Sequence, residues 1–294
     1  MKILASAYAK INLFLDVLSK RSDGYHDIQS VMQSISLCDL LLFEKHQSGI
    51  EVSSNWDEMP GKNENLVFRS IELLRKRYPE KMDCGVAVHI TKNIPVAAGL
   101  AGGSTDAAAS IRVMNLLFSL GLGMDEMIDA GKEIGSDVPF CLIGGTAIAR
   151  GRGDLLTPLE PIKGAWVVVA KIDGQISTHE IYCEYDESGK RTDISIESFC
   201  AELVASKNGE ALVNMRNVFE PIATSRYPQI ADLKAAALES GAFAAAMTGS
   251  GPAIFFVCHC LKNAQRVYNK LSTFTNDIYI TRTIDRGTDI QVLN

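Results

Sequence analysis

The chain has 294 residues and a hydrophobic content of 47%, which is enough to bury the core of two domains or of one large domain. Its formal net charge of −6 argues against broad, non-specific binding to nucleic acid, which relies on a basic surface. Seven cysteines, an odd number scattered along the chain, indicate reduced thiols rather than a disulfide framework.

The amino-terminal segment predicts neither a signal peptide nor a membrane anchor. Lys10, Asn12 and Asp16 interrupt its first apolar run too early for a secretory leader. No apolar run in the chain approaches the ~20 residues that a membrane span requires. We therefore expect a cytoplasmic protein.

Residues 7–17 alternate between apolar and mostly polar side chains, as a β-strand does. One face is apolar. The other face carries Lys10 and Asn12 side by side, about 7 Å apart by strand geometry. Taken alone, this segment is explained most simply as a strand with a solvated polar face.

The next elements alternate between polar turns and apolar runs. Residues 20–26 form a polar turn that ends in a tyrosine and a histidine, and residues 27–44 predict one or two further strands. A short strand is expected at 50–52. Residues 63–78 predict an amphipathic helix, with Asn63 as its N-cap.

A glycine-rich stretch at 94–109 lies between a predicted strand (86–91) and a predicted helix (104–119). Backbone N–H groups at a helix N-terminus suit a phosphate, and glycines allow its close approach. Ser104 and Thr105 add hydroxyl donors. The stretch contains neither of the two common glycine phosphate motifs, so it indicates an anion site without identifying the anion. Taken alone, the stretch is explained more simply as an ordinary loop capped by Ser104 or Thr105.

A helix at 124–134 should end at Gly135. Asp137 then precedes Val-Pro, which is typical of an N-cap on a further helical turn. A strand is expected at 146–149. A second glycine stretch, residues 247–253, has the composition of a tight turn that could close over the same ligand as the first.

Glycines, prolines and charges at 150–164 predict a domain boundary, which we place between 1–155 and 156–294. The second half mixes helices and strands, which favours an α+β fold. Helices are predicted at 195–206, 226–240 and 261–273. Strands are predicted at 166–170, 242–247, 253–258 and 277–284.

Together, the stretches at 95–108 and 247–252 resemble the ATP-binding motif and the C-terminal glycine motif of the GHMP kinase superfamily. Residues 9–15, 21–26 and 135–139 resemble one branch of it. That branch phosphorylates the 2-hydroxyl of 4-diphosphocytidyl-2-C-methyl-D-erythritol in non-mevalonate isoprenoid biosynthesis. The motifs follow the family's order from one end of the chain to the other.

This resemblance implies a two-domain α+β fold. The N-terminal domain would be ribosomal-protein-S5-domain-2-like, the C-terminal domain ferredoxin-like, and the active site would lie in the cleft between them. It implies a small-molecule kinase that uses ATP with Mg²⁺ and a cytidine diphosphate sugar alcohol. It implies no nucleic-acid or membrane partner, and no obligate protein partner is evident.

The resemblance also assigns residues. Asp137 is the expected general base, and Lys10 its electrostatic partner. The expected substrate contacts are Asn12, Tyr25, His26, Thr178 and Tyr182. The expected ATP contacts are Pro95, Val96, Ala97, Ala98, Gly99, Leu100, Ala101, Gly102, Gly103, Ser104, Thr105, Asn65 and Lys92, and the C-terminal glycine motif is Thr248, Gly249, Ser250 and Gly251.

Two positions depart from what the resemblance leads one to expect. Ala101 stands where the family often has glycine, and we expect from this that the position does not need a positive φ. Asp106 brings a negative charge close to the phosphates, which requires Mg²⁺ or water between them. The sequence does not identify the residues that bind the metal.

Three alternatives to this function stay open. The chain could be another GHMP kinase that acts on a different small alcohol. It could be a nucleotide-binding protein of the same fold without catalysis, which would not need both Lys10 and Asp137. A structural or interaction module is the third alternative.

Overall fold

Two β-sheets and two layers of helices build the molecule in a computed structural model that describes residues 1–188, 195–205 and 210–293. The strands are β1 Lys2–Lys20, β2 His26–His46, β3 Ile50–Ser54, β4 Gly85–Thr91, β5 Thr146–Gly151, β6 Leu155–Leu159, β7 Trp166–Lys171, β8 Arg216–Asn217, β9 Ala244–Met247, β10 Ala253–Cys258, β11 Ile278–Arg282 and β12 Thr288–Leu293. The helices are α1 Leu66–Arg77, α2 Gly102–Leu117, α3 Met124–Ile134, α4 Val138–Ile143, α5 Thr178–Ser188, α6 Ile196–Ala205, α7 Glu220–Arg226, α8 Gln229–Glu239 and α9 Leu261–Leu271, with a 3₁₀ turn at Glu210–Asn214.

The larger sheet is organised around β1. It runs in the order β12-β1-β2-β4-β3; β5 joins it by pairing with β2, β6 pairs with β5, and the short β8 pairs with β1. Most pairs are antiparallel, but β8 runs parallel to β1 and β3 runs parallel to β4. The smaller sheet has the order β11-β7-β10-β9 and is antiparallel throughout.

Strand β1 crosses three hydrophobic clusters, and this overturns the expectation of a solvated polar face. Ala5 packs with helices α1 to α4, Ile11 with the smaller sheet, and Leu15 with the helices of the second half. Lys10 and Asn12 are buried as well. Both faces of the strand are covered, so its polar residues face the interior and need partners there.

Irregular pairing between β1 and β2 breaks the simple alternation that the sequence predicts. The register with β2 shifts between Tyr8 and Lys10, between Asn12 and Phe14, and again after Val17. A β-bulge re-aims the side chains on either side of it. As a result Leu13 and Phe14 both enter the same hydrophobic cluster, although strict alternation would send them to opposite faces.

Helix α2 packs against β1 through small residues. Ala107 and Ala108 of the helix belong to one cluster with Ala5 and Ala7 of the strand. Small side chains permit a close approach of the two backbones, which brings the start of the helix near Lys10. The same register is held by the backbone N–H of Lys10, which donates to the carbonyl oxygen of Leu100 at 3.2 Å.

Several predicted elements differ from the observed ones. The helix expected at 226–240 is α8, which begins only at Gln229 because Pro228 restricts the backbone before it, and α7 was not predicted. The strands expected in 27–44 form a single strand, and helix α5 was not predicted. The helix expected at 195–206 is α6, and residue 206 lies outside the described residues.

The division into 1–155 and 156–294 stays a prediction. Strand β6 begins at Leu155 and pairs with β5, and the carboxyl-terminal β12 pairs with β1. The chain after residue 155 therefore contributes strands to the larger sheet. Among the described residues, no helix combines the length and the hydropathy that crossing a bilayer requires.

The N-cap of α1 is Asn65 rather than Asn63, which corrects the sequence prediction. The Asn65 side-chain oxygen accepts from the backbone N–H groups of Val67 and Phe68 at 3.0 and 3.1 Å. Asn63 lies in the exposed turn before it. The helix therefore begins at Leu66, where the chain first has an acceptor for its free N–H groups.

We expect Asn65→Ala to lower the free energy of unfolding by about 1 kcal/mol, because it leaves two N–H groups without their acceptor. Urea denaturation measures the change. Asn63→Ala is the matched control and should alter the free energy by less than about 0.5 kcal/mol. Equal losses in the two variants would contradict the observed cap.

Candidate active site

One cleft with a cavity volume of about 1230 Å³ collects most of the predicted site residues. Those that line it are Lys10, Asn12, Tyr25, His26, Asn65, Lys92, Pro95, Val96, Ala97, Ala98, Gly99, Leu100, Ala101, Gly102, Gly103, Ser104, Asp137, Thr178, Tyr182, Gly249 and Ser250. Thr105, Thr248 and Gly251 are buried behind this lining. Segments far apart in the chain therefore meet at a single site.

Lys10 and Asp137 face each other in the cleft. The Lys10 Nζ lies 3.6 Å from the Asp137 Oδ2, with side-chain exposures of 4% and 32%. Asp137 occupies the N-cap position of α4, but its side chain makes no capping hydrogen bond. The carboxylate is thus partly open to the cleft and faces a buried ammonium group. It does not cap the N-terminus of α4.

The carboxamide of Asn12 joins Lys10 to the C-terminal glycine motif. Its Oδ1 accepts from the Lys10 Nζ at 2.8 Å, from the Gly249 backbone N–H at 3.0 Å and from the Thr248 hydroxyl at 3.3 Å. Its Nδ2 donates to the Ser30 hydroxyl at 2.8 Å. Asn12 thereby holds the ammonium of Lys10 and the loop at 248–249 in one hydrogen-bond network.

The two glycine loops touch each other directly. A Cβ atom built on Gly99, which has φ of +76°, would lie 2.2 Å from the carbonyl oxygen of Thr248. A Cβ atom on Gly249 would lie 2.9 Å from the carbonyl oxygen of Gly99. The Thr248 hydroxyl oxygen lies 3.3 Å from that Gly99 oxygen, so its one proton is shared between Gly99 and Asn12. Only glycine allows this approach, so the second loop packs directly on the first, while a shared ligand stays a prediction.

Ala101 has φ of +60° and ψ of +30°, so the expectation that this position avoids a positive φ is wrong. Ala97 also has a positive φ, of 51°. A left-handed conformation costs an alanine roughly 1–2 kcal/mol. The chain accepts this cost because the fold requires the loop to turn sharply into α2, whatever residue is present.

Helix α2 begins at Gly102, two residues before the predicted start. Its N-cap residue is Ala101, whose side chain has no hydrogen-bond acceptor, so neither Ser104 nor Thr105 caps it. The N–H groups of the first turn are therefore left for a ligand or water. Thr105 does not serve as the expected donor in the cleft, because its hydroxyl donates to the carbonyl oxygen of Tyr8 at 2.6 Å.

Lys92 sits between two carboxylates at the base of the loop. Its Nζ contacts Asp39 and lies 2.8 Å from the Asp106 Oδ2. Asp39 in turn accepts from the backbone N–H groups of Asn93 and Ile94 at 2.6 and 2.8 Å. This buried group therefore holds the loop's first residues against the sheet and the helix.

The charges of this group are unbalanced. Burial lowers the pKa of Lys92, but the charges of Asp106 and Asp39 outweigh it and the pKa is raised. Burial also raises the pKa of Asp106 well above its usual value, with Asp39 adding to the shift and Lys92 opposing it. The Asp106 Oδ1 is buried without a hydrogen-bond partner in the part of the chain that the structure describes. A further cation would satisfy that oxygen.

Aromatic side chains gather at the other end of the cleft. The rings of His26 and Tyr182 are 4.7 Å apart, and Tyr182 packs against Phe219 at 4.6 Å. Tyr25 is 54% exposed, with the Arg152 guanidinium 4.6 Å from its ring centre. Burial, and then the charge of Asp137, raise the pKa of Tyr182, so its phenol stays neutral.

Four residues that line the cleft or contact its lining escaped the sequence analysis: Asp39, Arg152, Asp186 and Asn217. Asp186 lies on the unpredicted α5 and pairs with His26. The Asn217 Nδ2 donates to the carbonyl oxygens of Met247 and Gly249, at 2.9 and 2.8 Å. No local motif marks these residues; only the pairing of distant strands and helices brings them to the cleft.

We expect Gly99→Ala to lower the free energy of unfolding by about 2–4 kcal/mol, because the new methyl group meets the Thr248 carbonyl and the backbone is strained. Gly103→Ala is the matched control. Its Cβ has 3.6 Å of clearance and it lies in the first turn of α2, so we expect a change of about +1 kcal/mol or less. Denaturation curves that match for the two variants would contradict the tight loop contact.

Asp106 should also leave a mark on the pH dependence of stability. Its raised folded-state pKa means that the unfolded chain binds fewer protons than the native one, so stability falls as pH rises from about 4 towards 7. Asp106→Asn should therefore gain stability relative to the wild type over that range. Chemical denaturation at several pH values tests this, with exposed Asp232→Asn as the control. A difference that does not change with pH would contradict the shift.

Comparison with known proteins agrees with this geometry. The family described as "GHMP kinases N terminal domain" matches residues 65–145, and "GHMP kinases C terminal" matches residues 196–277. The chain is 43% identical to the 4-diphosphocytidyl-2-C-methyl-D-erythritol kinase of Caldanaerobacter subterraneus subsp. tengcongensis, over 99% of this chain and 100% of that protein. It is 42% identical to the enzyme of the same name from Bacillus pumilus, over 97% and 98% of the two chains.

Solved structures give the same fold. A crystal structure of 4-(cytidine 5'-diphospho)-2C-methyl-D-erythritol kinase superposes with a TM-score of 0.80 at 28% identity, covering 96% of this chain and 99% of that chain. The homoserine kinase from Cytophaga hutchinsonii, at 19% identity and a TM-score of 0.75, covers 99% and 97% and shows the fold alone. The predicted α+β GHMP kinase fold is confirmed. The chain is therefore a small-molecule kinase of the GHMP kinase superfamily and belongs to the family of 4-diphosphocytidyl-2-C-methyl-D-erythritol kinases.

Proposed function

We propose that this kinase transfers the γ-phosphoryl group of ATP to the 2-hydroxyl of 4-diphosphocytidyl-2-C-methyl-D-erythritol, a reaction of non-mevalonate isoprenoid biosynthesis. The observation that carries the proposal is the Lys10–Asp137 pair in a cleft with a phosphate loop at one end and aromatic rings at the other. The names of the relatives at about 40% identity support the same substrate.

In this proposal Asp137 accepts the proton of the substrate hydroxyl. Its carboxylate is partly exposed and has no capping role, so it is free to approach a bound alcohol. The Lys10 ammonium, held by Asn12, lies beside it and stabilises the negative charge that develops on the hydroxyl oxygen. The buried Asn12 network keeps that ammonium from moving away as the charge develops.

The nucleotide end has a simple electrostatic basis. The first turn of α2 offers backbone N–H groups and the positive end of the helix dipole to the phosphates. Gly102 packs closely against Lys92, because a Cβ atom there would lie only 3.2 Å from the Lys92 Nζ. The loop thus positions the phosphates near the general base, Asp137. The packing of Gly249 against the loop supports it on the side away from the ligand.

A divalent cation fits this end of the cleft. The described residues contain no group of three or more His, Cys, Asp or Glu side chains that could hold a metal alone. Mg²⁺ is commonly bound by one or two carboxylates together with substrate phosphates. The unpartnered Asp106 Oδ1 offers one such ligand. When bound, Mg²⁺ neutralises charge on the phosphates.

The aromatic end would hold the cytosine. Tyr25 presents an exposed ring, while the rings of His26 and Tyr182 contact each other at a tilt of 35° and line the cleft. Stacking of a base on an aromatic ring contributes on the order of 1–3 kcal/mol. Thr178, the first residue of α5, has its hydroxyl oxygen 3.1 Å from that of Ser250 in the second glycine loop. They are suitable contacts for the polar middle of the substrate.

We expect Lys10→Ala and Asp137→Asn each to lower kcat at least ~100-fold, the scale of a general-base contribution. Steady-state assays measure kcat, and calorimetry with ATP should find nucleotide affinity changed only a few-fold. Lys262→Ala and Asp232→Asn, on the exposed sides of α9 and α8, serve as controls with unchanged kcat. Near wild-type turnover in either cleft variant would refute its assigned role.

The acceptor is tested by an assay of ADP release with four alcohols: the diphosphocytidyl substrate, homoserine, mevalonate and galactose. We expect turnover with the first alone, because only it can use the aromatic end of the cleft. Adding EDTA should abolish the turnover, and excess Mg²⁺ should restore it. Preference for any other alcohol would favour a different GHMP kinase, and ATP binding without turnover would favour a non-catalytic nucleotide-binding protein.

A further inference from the structure

Asp186, a carboxylate on α5, contacts His26 at the aromatic end of the cleft. The Asp186 Oδ1 lies 2.9 Å from the His26 Nε2, and the Asp186 Oδ2 lies 2.8 Å from the Lys20 Nζ. The side chains of His26 and Asp186 are 7% and 28% exposed. Asp186 stands one helical turn after Tyr182, so α5 brings both the ring and the carboxylate to His26.

This contact decides which nitrogen of His26 carries the proton. A carboxyl group of ordinary pKa is already ionised near neutral pH, and the hydrogen bonds from Lys20 and then His26 lower the pKa of Asp186 further, despite some desolvation. An ionised carboxylate only accepts hydrogen bonds, which means that the His26 Nε2 is the donor. In the neutral form of the ring, Nδ1 on the other side is then unprotonated, and the structure records no partner for that atom among residues 1–188, 195–205 and 210–293.

We propose that Asp186 is a positioning residue that makes the cleft select cytosine over uracil, by holding His26 in the tautomer whose Nδ1 accepts a hydrogen bond. This inference rests on the proposed function. Cytosine carries an N4 amino group that donates, whereas uracil carries a carbonyl oxygen at the same place, which only accepts. An Nδ1 that accepts a hydrogen bond therefore complements the amino group of cytosine. With uracil, it would face the carbonyl oxygen, which is also an acceptor.

Lys20 has a separate part in this arrangement. It is 59% exposed and engages the outer oxygen of Asp186, away from His26. Its ammonium is screened by solvent, so its loss leaves the bond between Asp186 and His26 in place. The inner oxygen alone defines the tautomer. Replacing Lys20 therefore separates a general charge effect from the effect of the hydrogen bond.

The test compares the diphosphocytidyl substrate with its diphosphouridyl analogue. We expect the ratio of the two kcat/KM values to fall about 10-fold in Asp186→Leu, the scale of one hydrogen bond, through KM rather than kcat. Asp186→Glu should restore most of the ratio. The matched controls, Glu187→Gln on the same helix and Lys20→Gln, should keep the wild-type ratio.

A spectroscopic measurement reports the tautomer without turnover. In long-range ¹H–¹⁵N correlation spectra of the wild-type protein, the His26 Nδ1 should have the shift of an unprotonated nitrogen and Nε2 that of a protonated one. Asp186→Leu should show a mixture. An unchanged tautomer and an unchanged ratio in Asp186→Leu would overturn the proposal. Wild-type enzyme that ignores the diphosphocytidyl substrate would instead refute the proposed function, and the spectra would still report whether Asp186 holds the tautomer.

Discussion

The buried carboxamide of Asn12 is the contact on which the site depends. Its oxygen accepts hydrogen bonds from the Lys10 ammonium and from the loop at 248–249, which belong to opposite halves of the chain. A buried acceptor of this kind is costly to leave unsatisfied, so each donor is held in place by the others. The position of the proposed catalytic cation is therefore tied to the closure of the two glycine loops.

Strand β1 makes this arrangement possible. It passes through all three hydrophobic clusters, and the shifts in its register with β2 on either side of Lys10 and Asn12 turn polar side chains towards the cleft without breaking the core. Asn217 on β8 supports the same geometry. Its backbone pairs with β1 at Leu15, and its side-chain carboxamide donates to the carbonyl oxygen of Gly249. Packing energy spread over the whole strand thus fixes two polar groups to within hydrogen-bonding distance of their partners.

Local sequence patterns anticipated much of this fold. The helix at 124–134 and the strand at 253–258 have the predicted bounds, because hydrophobic periodicity and flanking glycines define them. The burial of both faces of β1 could not be predicted, since it depends on which elements fold over the strand. The positive φ of Ala101 also escaped, because the requirement comes from the loop's path into α2 and not from the residue.

The site shows the same division. Residues in contiguous motifs, such as Lys10, Tyr25 and Asp137, were recognised and lie in one cleft. Asp39 and Asp186 were not, because each contacts its partner across more than 50 residues of chain, and no local spacing records such a pair. Thr105 was assigned a donor role that its neighbours forbid, since the Tyr8 carbonyl already takes its proton.

The claim that Lys10 and Asp137 act as one catalytic unit is tested most directly by a double-mutant cycle in kcat. If Lys10 acts only by assisting the proton transfer to Asp137, replacing the second residue lowers kcat little further once the first has been replaced. The account predicts that Lys10→Ala/Asp137→Asn loses about 10²-fold, close to either single variant. A loss near 10⁴-fold, the product of two independent effects, would contradict it.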